Sequence, residues 1–274
     1  MDKFLDYNKF LKKKKTLLSK KEKFAVISGG CGRIGSVFTS QLLYNGYKVI
    51  CLSKTKQKYS EYKKTLPKNI SNNLLWHVLD LVKPKTVKKA TQFIFSKFSK
   101  VDILINNAAD SKRGKFFKYD AITLDKDFWG TFGSSFLLTE EILPTMRKNK
   151  KGKIINTGSL WGSHAAKFKT YLDLDIGPSS MIASGKAAIM QYTKHLASRE
   201  SEFSITANAL IPGFFPRKGK IERKDYIKSI NSNIPLQRIG QLEDLISAVD
   251  FLISEGSSYM TGQFIVVDGG YTAW

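Results

Sequence analysis

The sequence predicts a single-domain α/β protein, in which helices cover both faces of a doubly wound parallel sheet. From residue 23 onward, short apolar runs alternate with amphipathic helical patterns, as they do in repeated strand–helix–strand units. A glycine-rich turn joins the first of these strands to the first helix, and no internal repeat or domain-scale linker interrupts the alternation. A chain of 274 residues is also long enough to bury one large core.

The individual elements are predicted from their apolar spacing and from their end signals. The first strand, 24–28, is apolar and runs into glycines, and the first helix, 33–45, has apolar residues three and four positions apart and stops at Gly46. Further strands are predicted at 47–52, 74–79, 101–105, 153–156, 205–210 and 263–267. Further helices are predicted at 84–98, 125–148, 182–198 and 243–254, and the lysine-rich stretch between the second and third strands fits either a helix or a loop.

The net charge of +22, from 45 basic and 23 acidic residues, raises the question of a nucleic-acid or anionic-membrane partner. Most of the basic residues are scattered along the chain, and they are mainly lysines, which lack the bidentate fork with which arginine reads phosphates and bases. We therefore predict a generally basic surface, with neither nucleic acid nor a membrane as a partner.

The basic residues cluster only at the N-terminus, where residues 1–22 form a basic arm ahead of the domain at 23–274. Four consecutive lysines occupy 12–15, and apolar residues near heptad spacing would line one face of a helix that Lys14 interrupts. We expect this arm to lie on the protein surface or to contact another subunit, rather than to anchor in a membrane.

Cysteine content and hydropathy bear on the compartment. Cys31 and Cys51 are too few for a disulfide scaffold and fit a reducing compartment. No apolar run reaches the ~18 residues of a membrane span. The first residues contain only apolar pairs, not the continuous apolar core of a signal peptide. We expect a cytoplasmic protein.

The glycine-rich turn is the strongest functional signal. Residues 28–35 read Ser-Gly-Gly-Cys-Gly-Arg-Ile-Gly and lie between the first strand and its helix. Glycines allow a tight turn and let the backbone approach a pyrophosphate, whose charge meets the free N–H groups of the helix N-terminus. The pattern favours a Rossmann-type dinucleotide site that includes Ser28, Gly29, Gly32, Arg33, Ile34 and Gly35.

The end of the second strand indicates which dinucleotide binds. An acidic residue there would accept hydrogen bonds from the adenosine ribose of NAD, but the chain has Ser53 and Lys54 instead. These two residues and Arg33 are suited to the 2′-phosphate of NADP. We therefore predict NADP(H) as the cofactor, with NAD(H) as the alternative in which Lys54 is only a solvated lysine.

With this glycine turn and strand pattern, the sequence resembles the short-chain dehydrogenase/reductase family over residues 23–274. Its further motifs match, in order, at Asp80 with Leu81, Asn106–Ala109 with Ala109 replacing a glycine, Ile155–Ser159, Lys186, Pro212-Gly213 and Val267–Gly270. The resemblance implies an NAD(P)(H)-dependent oxidoreductase that interconverts a carbonyl and an alcohol, and a homo-oligomer, expected to be a homotetramer. It also implies that Ser159 and Lys186 are catalytic and that the cofactor contacts Asp80, Leu81, Asn107, Ala108, Ala109, Lys186, Pro212 and Gly213.

Two positions depart from the family pattern. The family places a proton-transferring tyrosine four residues before the lysine, and this chain has Ile182 there. Counting back from Pro144 also places Thr131 where the family usually has an asparagine of its proton relay. Because isoleucine cannot donate a proton, the chain lacks the usual catalytic tyrosine and is predicted to be an atypical member.

Another group would have to supply the missing proton. Tyr171 is our first candidate, because it follows Ser159 by twelve residues in a segment expected to loop over the substrate side. The alternative is that Tyr171 only packs in this loop or contacts substrate. His164 is a second candidate, whereas His77 and His195 fit structural roles, and no histidine spacing indicates a metal site.

Three functional classes follow from these observations. The first is an active reductase with a displaced acid, and the second is a cofactor-binding pseudoenzyme with a structural or regulatory role. The third is a nucleic-acid-associated protein that uses the basic arm. For a reductase, aromatic and basic residues near the expected substrate loop fit a sugar or sugar-acid substrate of surface-polysaccharide biosynthesis; they are Trp161, Phe215, Arg217, Lys218 and Lys220.

Overall fold

The computed structural model describes residues 22–111, 118–172, 177–216 and 223–273, and within them the sheet has seven strands, all parallel. Their order across the sheet is β3-β2-β1-β4-β5-β6-β7. The strands are β1 Lys23–Ser28, β2 Tyr47–Ser53, β3 Leu74–Val78, β4 Ile103–Asn106, β5 Gly152–Thr157, β6 Ile205–Pro212 and β7 Phe264–Val267. All seven coincide with predicted strands to within two residues at either end.

Helices connect the strands on both sides of the sheet. The α-helices are α1 Arg33–Tyr44, α2 Lys56–Lys64, α3 Lys68–Ser71, α4 Lys85–Lys97, α5 Ala121–Phe128, α6 Ser134–Asn149, α7 Ser180–Arg199, α8 Lys224–Asn231 and α9 Ile246–Ile253. A π turn, Trp129–Gly133, joins α5 to α6. Short 3₁₀ segments lie at Leu160–Gly162, Phe168–Tyr171, Ser201–Phe203, Leu242–Leu245 and Glu255–Ser257.

The alternation of side chains along the strands divides the core into two layers. In β1, Ala25 and Ile27 pack into the layer that contains residues of α1, α2 and α9, whereas Phe24 and Val26 pack against α4, α6 and α7. Successive side chains of a strand point to opposite faces, so a strand that is apolar on both faces is covered on both sides. This confirms the predicted doubly wound, single-domain fold.

The helix predicted at 125–148 is interrupted in the structure. It begins earlier, at Ala121, because the Asp120 side chain caps it by accepting a hydrogen bond from the Thr123 N–H at 2.7 Å. The π turn then divides α5 from α6 at Gly130, whose Cα lies so close to the Asp110 carbonyl that any Cβ would overlap it. Because this close approach involves a residue twenty positions away, periodicity alone did not predict the interruption.

Other differences are local. The lysine-rich stretch forms α2 and α3, and the helix predicted at 243–254 begins with the 3₁₀ turn Leu242–Leu245. Helix α8 was not predicted, although Tyr226 and Ile230 are buried four residues apart. The arm predicted at 1–22 lies outside the described residues except for Glu22, which pairs with Lys48. In the part of the chain that the structure describes, no helix is both long and apolar enough to cross a membrane.

Candidate functional site

A crevice is expected where the chain order across the sheet reverses, between β1 and β4, because the connections leave these strands in opposite directions. The glycine-rich turn follows β1, and the segment Asn107–Ala109 follows β4, so both lie at the carboxyl edge of the sheet beside this crevice. The two segments that the sequence predicted to contact a dinucleotide are therefore neighbours.

The glycine turn is held in a shape that only small residues permit. Gly29 has a left-handed φ of 67°, and its N–H donates to the Leu52 carbonyl at 2.7 Å, which fixes the turn to β2. The Gly32 N–H donates to the Gly29 carbonyl at 2.8 Å. A Cβ on Gly35 would overlap the same carbonyl and would lie 2.8 Å from Nδ2 of Asn107. The result is an open cradle at the N-terminus of α1.

Asn107 connects this cradle to the rest of the site. Its Nδ2 donates to the Gly29 carbonyl at 3.2 Å, and its Oδ1 accepts from the Thr157 hydroxyl at 3.3 Å. The backbone N–H groups of Asn107 and Ala108 both lie 3.1 Å from the Ser28 hydroxyl, to which they donate. The ends of β1, β4 and β5 are thus joined by hydrogen bonds through side chains at the crevice.

The other end of the crevice is lined by charged residues near β2 and β3. Asp80 is largely buried, and its two carboxylate oxygens lie 3.6 Å from Nζ of Lys54 and 3.6 Å from Nζ of Lys83. Within the described residues, Oδ1 of Asp80 accepts no hydrogen bond. Lys54 also lies 3.8 Å from Asp110, and its side chain is 58% exposed. An acceptor without a donor, beside an exposed lysine, leaves room for a polar ligand.

Three other predicted contacts have partners within the protein. Ser53 donates to the Thr55 carbonyl at 3.1 Å and accepts from Nε1 of Trp76 at 2.9 Å, so its hydroxyl is already engaged. Arg33 donates to the Phe215 carbonyl. Leu81 is buried, and its carbonyl accepts from Ser134 at 2.5 Å. Of the residues suggested for a 2′-phosphate, Lys54 is therefore the most available.

Two of the residues that the sequence predicted to be catalytic, Ser159 and Lys186, lie near the end of β5. Ser159 is half-buried, and its hydroxyl accepts the N–H of Trp161 at 3.2 Å, which caps the 3₁₀ turn Leu160–Gly162. Nζ of Lys186, on α7, donates to the Thr157 carbonyl at 2.6 Å. Lys186 is therefore bonded to the strand end two residues before Ser159.

The two atypical residues lie beside the lysine. Ile182 is half-buried, one turn before Lys186 on α7. Thr131, in the π turn, is buried and donates to the Asp127 carbonyl at 2.6 Å. It packs so closely against Gly185 that a Cβ there would overlap its hydroxyl. Thr131 therefore occupies the space next to α7, and its hydroxyl is already hydrogen-bonded to the backbone of its own helical turn.

Burial makes Lys186 a weaker base than an exposed lysine. Removal from water disfavours the ammonium ion and lowers the pKa of Lys186 from 10.5 to about 8. The unfolded chain therefore binds more protons than the folded protein between these two pH values, and Lys186 makes stability rise with pH across that window.

We expect Lys186→Met to remove this dependence. Relative to the variant, the free energy of unfolding of the parent should rise by about 3 kcal/mol between about pH 8 and about pH 10.5, because one pKa unit corresponds to ~1.4 kcal/mol. Urea denaturation at several pH values in this range measures the difference. Tyrosines that titrate nearby are common to both proteins and cancel, so parallel curves would contradict the assignment.

Tyr171 lies in an aromatic layer beside a cavity. It is only 6% exposed, and its ring centroid lies 6.1 Å from that of Tyr226. Trp161 packs against the same layer and also lines a cavity of about 340 Å³. This burial is consistent with the alternative in which Tyr171 packs in the loop. Because Trp161 contacts both the aromatic layer and the cavity, the layer lies next to the cavity. The other cavity residues are Gly162, Ser163, His164, Ala165, Ala166, Phe168, Pro178, Ser179, Ser180 and Ala183.

The histidines occupy different settings. His164 lines the cavity, and its Nδ1 lies 2.9 Å from the Ser163 hydroxyl. His77 stacks on Phe93 with 4.3 Å between ring centroids, and burial lowers the pKa of His77, as expected for a structural residue. His195 is exposed. Among the described residues, no group of three His, Cys, Asp or Glu side chains is placed to hold a metal ion.

A polar cluster at the start of α7 was missed by the sequence analysis. The Tyr119 hydroxyl lies 3.0 Å from the carboxylate of Asp127 and 2.8 Å from the Ser179 hydroxyl, and Ser179 caps α7 by accepting the N–H of Ile182. The Ser-Ser pair at 179–180 was a usable capping signal. Tyr119 had no local signal, because its partners come from two other segments.

The turn that follows β6 lies at the carboxyl edge of the sheet. The Gly213 N–H donates to the Val267 carbonyl at 2.9 Å, and a Cβ on Gly213 would lie 2.6 Å from Cα of Asp268. Phe214 then packs edge-on against Trp161 and Tyr271, with centroid distances of 5.7 and 5.1 Å. Of the basic residues predicted near the substrate, Arg217, Lys218 and Lys220 lie outside the described residues.

Taken together, these residues fit a nicotinamide dinucleotide. The cradle at Gly29–Gly35 excludes side chains where a pyrophosphate would approach, and Oδ1 of Asp80 is a buried acceptor without a hydrogen bond at the other end of the crevice. Lys186 and Ser159 provide a proton-bearing ammonium group and a hydroxyl near the end of β5, on the other side of the cradle from Asp80.

Comparisons with known proteins identify similar sequences over almost the whole chain. Residues 32–272 match a family model described as enoyl-(acyl carrier protein) reductase. The chain is 29% identical over 251 residues to acetoacetyl-CoA reductase of Acinetobacter sp. strain RA3849, covering 91% of this chain and 97% of that protein. It is 29% identical over 256 residues to 3-oxoacyl-(acyl-carrier-protein) reductase FabG of Buchnera aphidicola, with the same coverage.

A solved structure is similar as well. The crystal structure of a short-chain dehydrogenase from Leptospira borgpetersenii with bound NAD+ has a TM-score of 0.79 and 28% sequence identity, and the match covers 94% of this chain and 98% of that one. The Pseudomonas aeruginosa RhlG/NADP complex has a TM-score of 0.80 at 22% identity, a likeness of fold. It covers 94% of this chain and 99% of that chain.

Proposed function

The chain belongs to the short-chain dehydrogenase/reductase family of NAD(P)-dependent oxidoreductases, and from that premise we propose that it interconverts a carbonyl and an alcohol with NADP(H) as the preferred cofactor. The observation that supports this most is the pairing of two features along one crevice. The glycine cradle would accommodate the pyrophosphate, and Lys186 is bonded to the Thr157 carbonyl at the end of β5, two residues before Ser159.

The roles of the individual residues follow from their positions. The bound cofactor would supply or accept the hydride. The ammonium of Lys186 would hold the nicotinamide ribose, and the Ser159 hydroxyl would orient the substrate oxygen. Asp80 would accept a hydrogen bond from the adenine through Oδ1, which accepts no hydrogen bond from the described residues. The remaining proposed contacts are Ser28, Gly29, Gly32, Arg33, Ile34, Gly35, Ser53, Lys54, Leu81, Asn107, Ala108, Ala109, Pro212 and Gly213.

Lys54 is the residue on which the cofactor preference depends. Its exposed ammonium stands where NAD-binding relatives of this fold have a carboxylate, and it would pair with a 2′-phosphate. We expect Lys54→Asp to lower the affinity for NADPH by at least about tenfold, ~1.4 kcal/mol, while NADH affinity changes little. Calorimetric titration with both cofactors measures this.

The matched control is Lys68→Asp, which makes the same charge change on an exposed residue of α3. We expect its cofactor affinities to equal those of the parent. A parent that binds NADH as tightly as NADPH would contradict the proposed preference, and so would a Lys68→Asp variant that loses as much NADPH affinity as Lys54→Asp.

The substitute proton donor that we propose is Tyr171. Ile182 cannot transfer a proton, and the aromatic layer that contains Tyr171 borders the cavity through Trp161. A phenol can serve as general acid if it reaches the substrate oxygen directly or through one water molecule. His164 lines the same cavity and is the second candidate.

Ile182 also supports a second function, a cofactor-binding pseudoenzyme with a structural or regulatory role. The cofactor cradle and Lys186 do not depend on the residue at position 182, so cofactor binding would outlast catalysis. Ile182→Tyr distinguishes the two functions: it should create weak carbonyl reduction in a pseudoenzyme, and it should alter an existing rate in an enzyme.

For the substrate we propose a sugar or sugar acid, as in surface-polysaccharide biosynthesis. The cavity is lined by the aromatic residues Trp161 and Phe168 and by Ser163. Aromatic faces and hydroxyls suit a polyhydroxylated ring. The test compares the rate of reduction of a polyhydroxy ketone with that of acetoacetyl-CoA, the substrate that the name of one relative gives. We expect the polyhydroxy ketone to be reduced faster.

We also propose a homotetramer. Apolar side chains on α5 and α6 remain 40–66% exposed, among them Ile122, Phe128 and Phe136, and Phe136 packs against the ring of Tyr192 on α7. Exposed apolar patches of this kind mark contact surfaces between subunits.

We expect Phe136→Asp to yield a smaller species in light scattering at micromolar concentration. Phe95→Asp, an equally exposed phenylalanine on α4, is the control and should stay tetrameric; a monomeric parent would contradict the proposal.

The cytoplasm is our proposal for the compartment. Cys31 and Cys51 are both free thiols in the structure, and both are buried. Reduced cysteines of this kind fit a reducing compartment.

A further inference from the structure

Two thiols lie in direct contact beneath the glycine cradle. Cys31 lies in the turn itself, between Gly30 and Gly32, and Cys51 lies on β2. Their Sγ atoms are 3.3 Å apart, and Cys31 donates a hydrogen bond to Cys51. Both side chains are at most 1% exposed. None of the catalytic or cofactor-binding roles proposed above uses either thiol.

The geometry needs little change to form a disulfide. An S–S bond is about 2.05 Å long, so the two sulfurs would have to approach by roughly 1.3 Å. Cys51 is fixed in the sheet, opposite Ile27 of β1. Cys31 has a glycine on each side and lies in a turn, so most of the movement would fall on the cradle.

We propose that Cys31 and Cys51 are a site of reversible oxidation, and that the disulfide releases the cofactor. The oxidant is a peroxide. The Cys31 sulfur attacks a peroxide oxygen, the O–O bond breaks, and a sulfenic acid and water form. The Cys51 sulfur then attacks the Cys31 sulfur, the S–O bond breaks, and a second water leaves. The two thiols together lose two protons and two electrons, which the peroxide takes up.

The cradle has no free space to absorb this movement. Gly30 lies so close to the Cys51 sulfur that a Cβ there would overlap it, and it lies against the Thr39 side chain as well. The Thr39 hydroxyl also donates to the Gly30 carbonyl at 3.0 Å. Drawing Cys31 toward Cys51 would therefore shift the backbone of the turn, including the N–H groups that face the proposed pyrophosphate.

Cofactor binding and oxidation should oppose each other. The mutual hydrogen bond and burial raise the pKa of Cys31, so the thiol stays protonated and reacts slowly while the turn is closed. A bound pyrophosphate would hold the turn closed and slow oxidation further. By linkage, the oxidised protein should bind the cofactor more weakly. This second part of the inference rests on the proposed cofactor site.

The test treats the full-length protein with hydrogen peroxide and follows it by intact mass, free-thiol titration and NADPH titration. We expect the loss of two hydrogen atoms and of both titratable thiols, and a fall in NADPH affinity of at least about tenfold. Dithiothreitol should restore all three. Prior saturation with NADPH should slow the mass change.

The control is Cys51→Ala, which leaves the cradle sequence intact. It should bind NADPH as the parent does, form no intramolecular disulfide, and keep its NADPH affinity after the same brief peroxide treatment without reduction. If the parent keeps both thiols, or if the disulfide form binds NADPH with unchanged affinity, the inference is wrong. If the reduced parent binds no cofactor, the proposed function fails and cofactor release fails with it, while the mass and thiol measurements still decide whether the disulfide forms.

Discussion

Gly35→Ala should abolish measurable NADPH binding while leaving the protein folded. The new Cβ would overlap the Gly29 carbonyl and lie 2.8 Å from Nδ2 of Asn107, both of which are fixed parts of the cradle. Forcing a methyl group into such a site costs about 1–3 kcal/mol. The turn would have to open where the pyrophosphate approaches, so we expect the NADPH affinity to fall by about 10²-fold or more.

The control for this variant is Gly256→Ala. A Cβ at Gly256 would lie 3.2 Å from the Ser254 hydroxyl and 3.8 Å from the nearest ring atoms of Phe251, where small side-chain movements can accommodate it. Fluorescence titration with NADPH, together with circular dichroism, separates lost binding from lost folding. Parent-like affinity in a folded Gly35→Ala protein would show that the cradle does not bind the cofactor.

Tyr171→Phe should lower the rate of carbonyl reduction by roughly 10²-fold or more while leaving NADPH affinity unchanged, as the removal of a general acid does. The substitution deletes only the hydroxyl of a buried ring, so the packing against Tyr226 is preserved. Steady-state rates and cofactor titration on the same preparations measure both quantities.

Comparison with Ser159→Ala identifies the proton source. If water held near Ser159 and Lys186 delivers the proton, Tyr171→Phe will be nearly silent and Ser159→Ala will be damaging. That result would contradict the role proposed for Tyr171 without affecting the cofactor site. If neither variant changes a measurable rate, both residues lie outside the chemistry.

Local patterns were sufficient for most of the fold. The central strands appear as short apolar runs because they are buried on both faces, and α1 appears as apolar residues three and four positions apart ahead of Gly46. The glycine turn was identifiable for the same reason, since its spacing and its place between a strand and a helix are both local. The sequence predicted a parallel sheet of the doubly wound class, but it did not predict the order of the strands across that sheet.

Features that depend on distant contacts were not predicted. The π turn follows from the approach of Gly130 to Asp110, and the engagement of the Ser53 hydroxyl follows from Trp76, on a neighbouring strand. The contact between Cys31 and Cys51 likewise depends on the pairing of β1 with β2. Each of these involves partners that sequence spacing does not relate.

The candidate site was predicted unevenly for a similar reason. Ser159 follows the end of β5, and Lys186 on α7 donates to the Thr157 carbonyl at the same strand end. Tyr171 lies in a connecting segment, and its burial against Tyr226 depends on α8, which the periodicity did not reveal. Side chains on connections are placed by tertiary packing, which local sequence spacing does not predict.

Deuteride transfer tests the central claim, that this chain is a carbonyl-reducing oxidoreductase despite Ile182, most directly. The protein is incubated with NADPH deuterated on either face of nicotinamide C4 and with a panel of polyhydroxy ketones and acyl thioesters, and the products are analysed by mass spectrometry. The account predicts that one of the two labelled cofactors gives an alcohol with deuterium at the former carbonyl carbon. NADPH binding without deuterium in any product would contradict it and would identify the protein as a cofactor-binding pseudoenzyme.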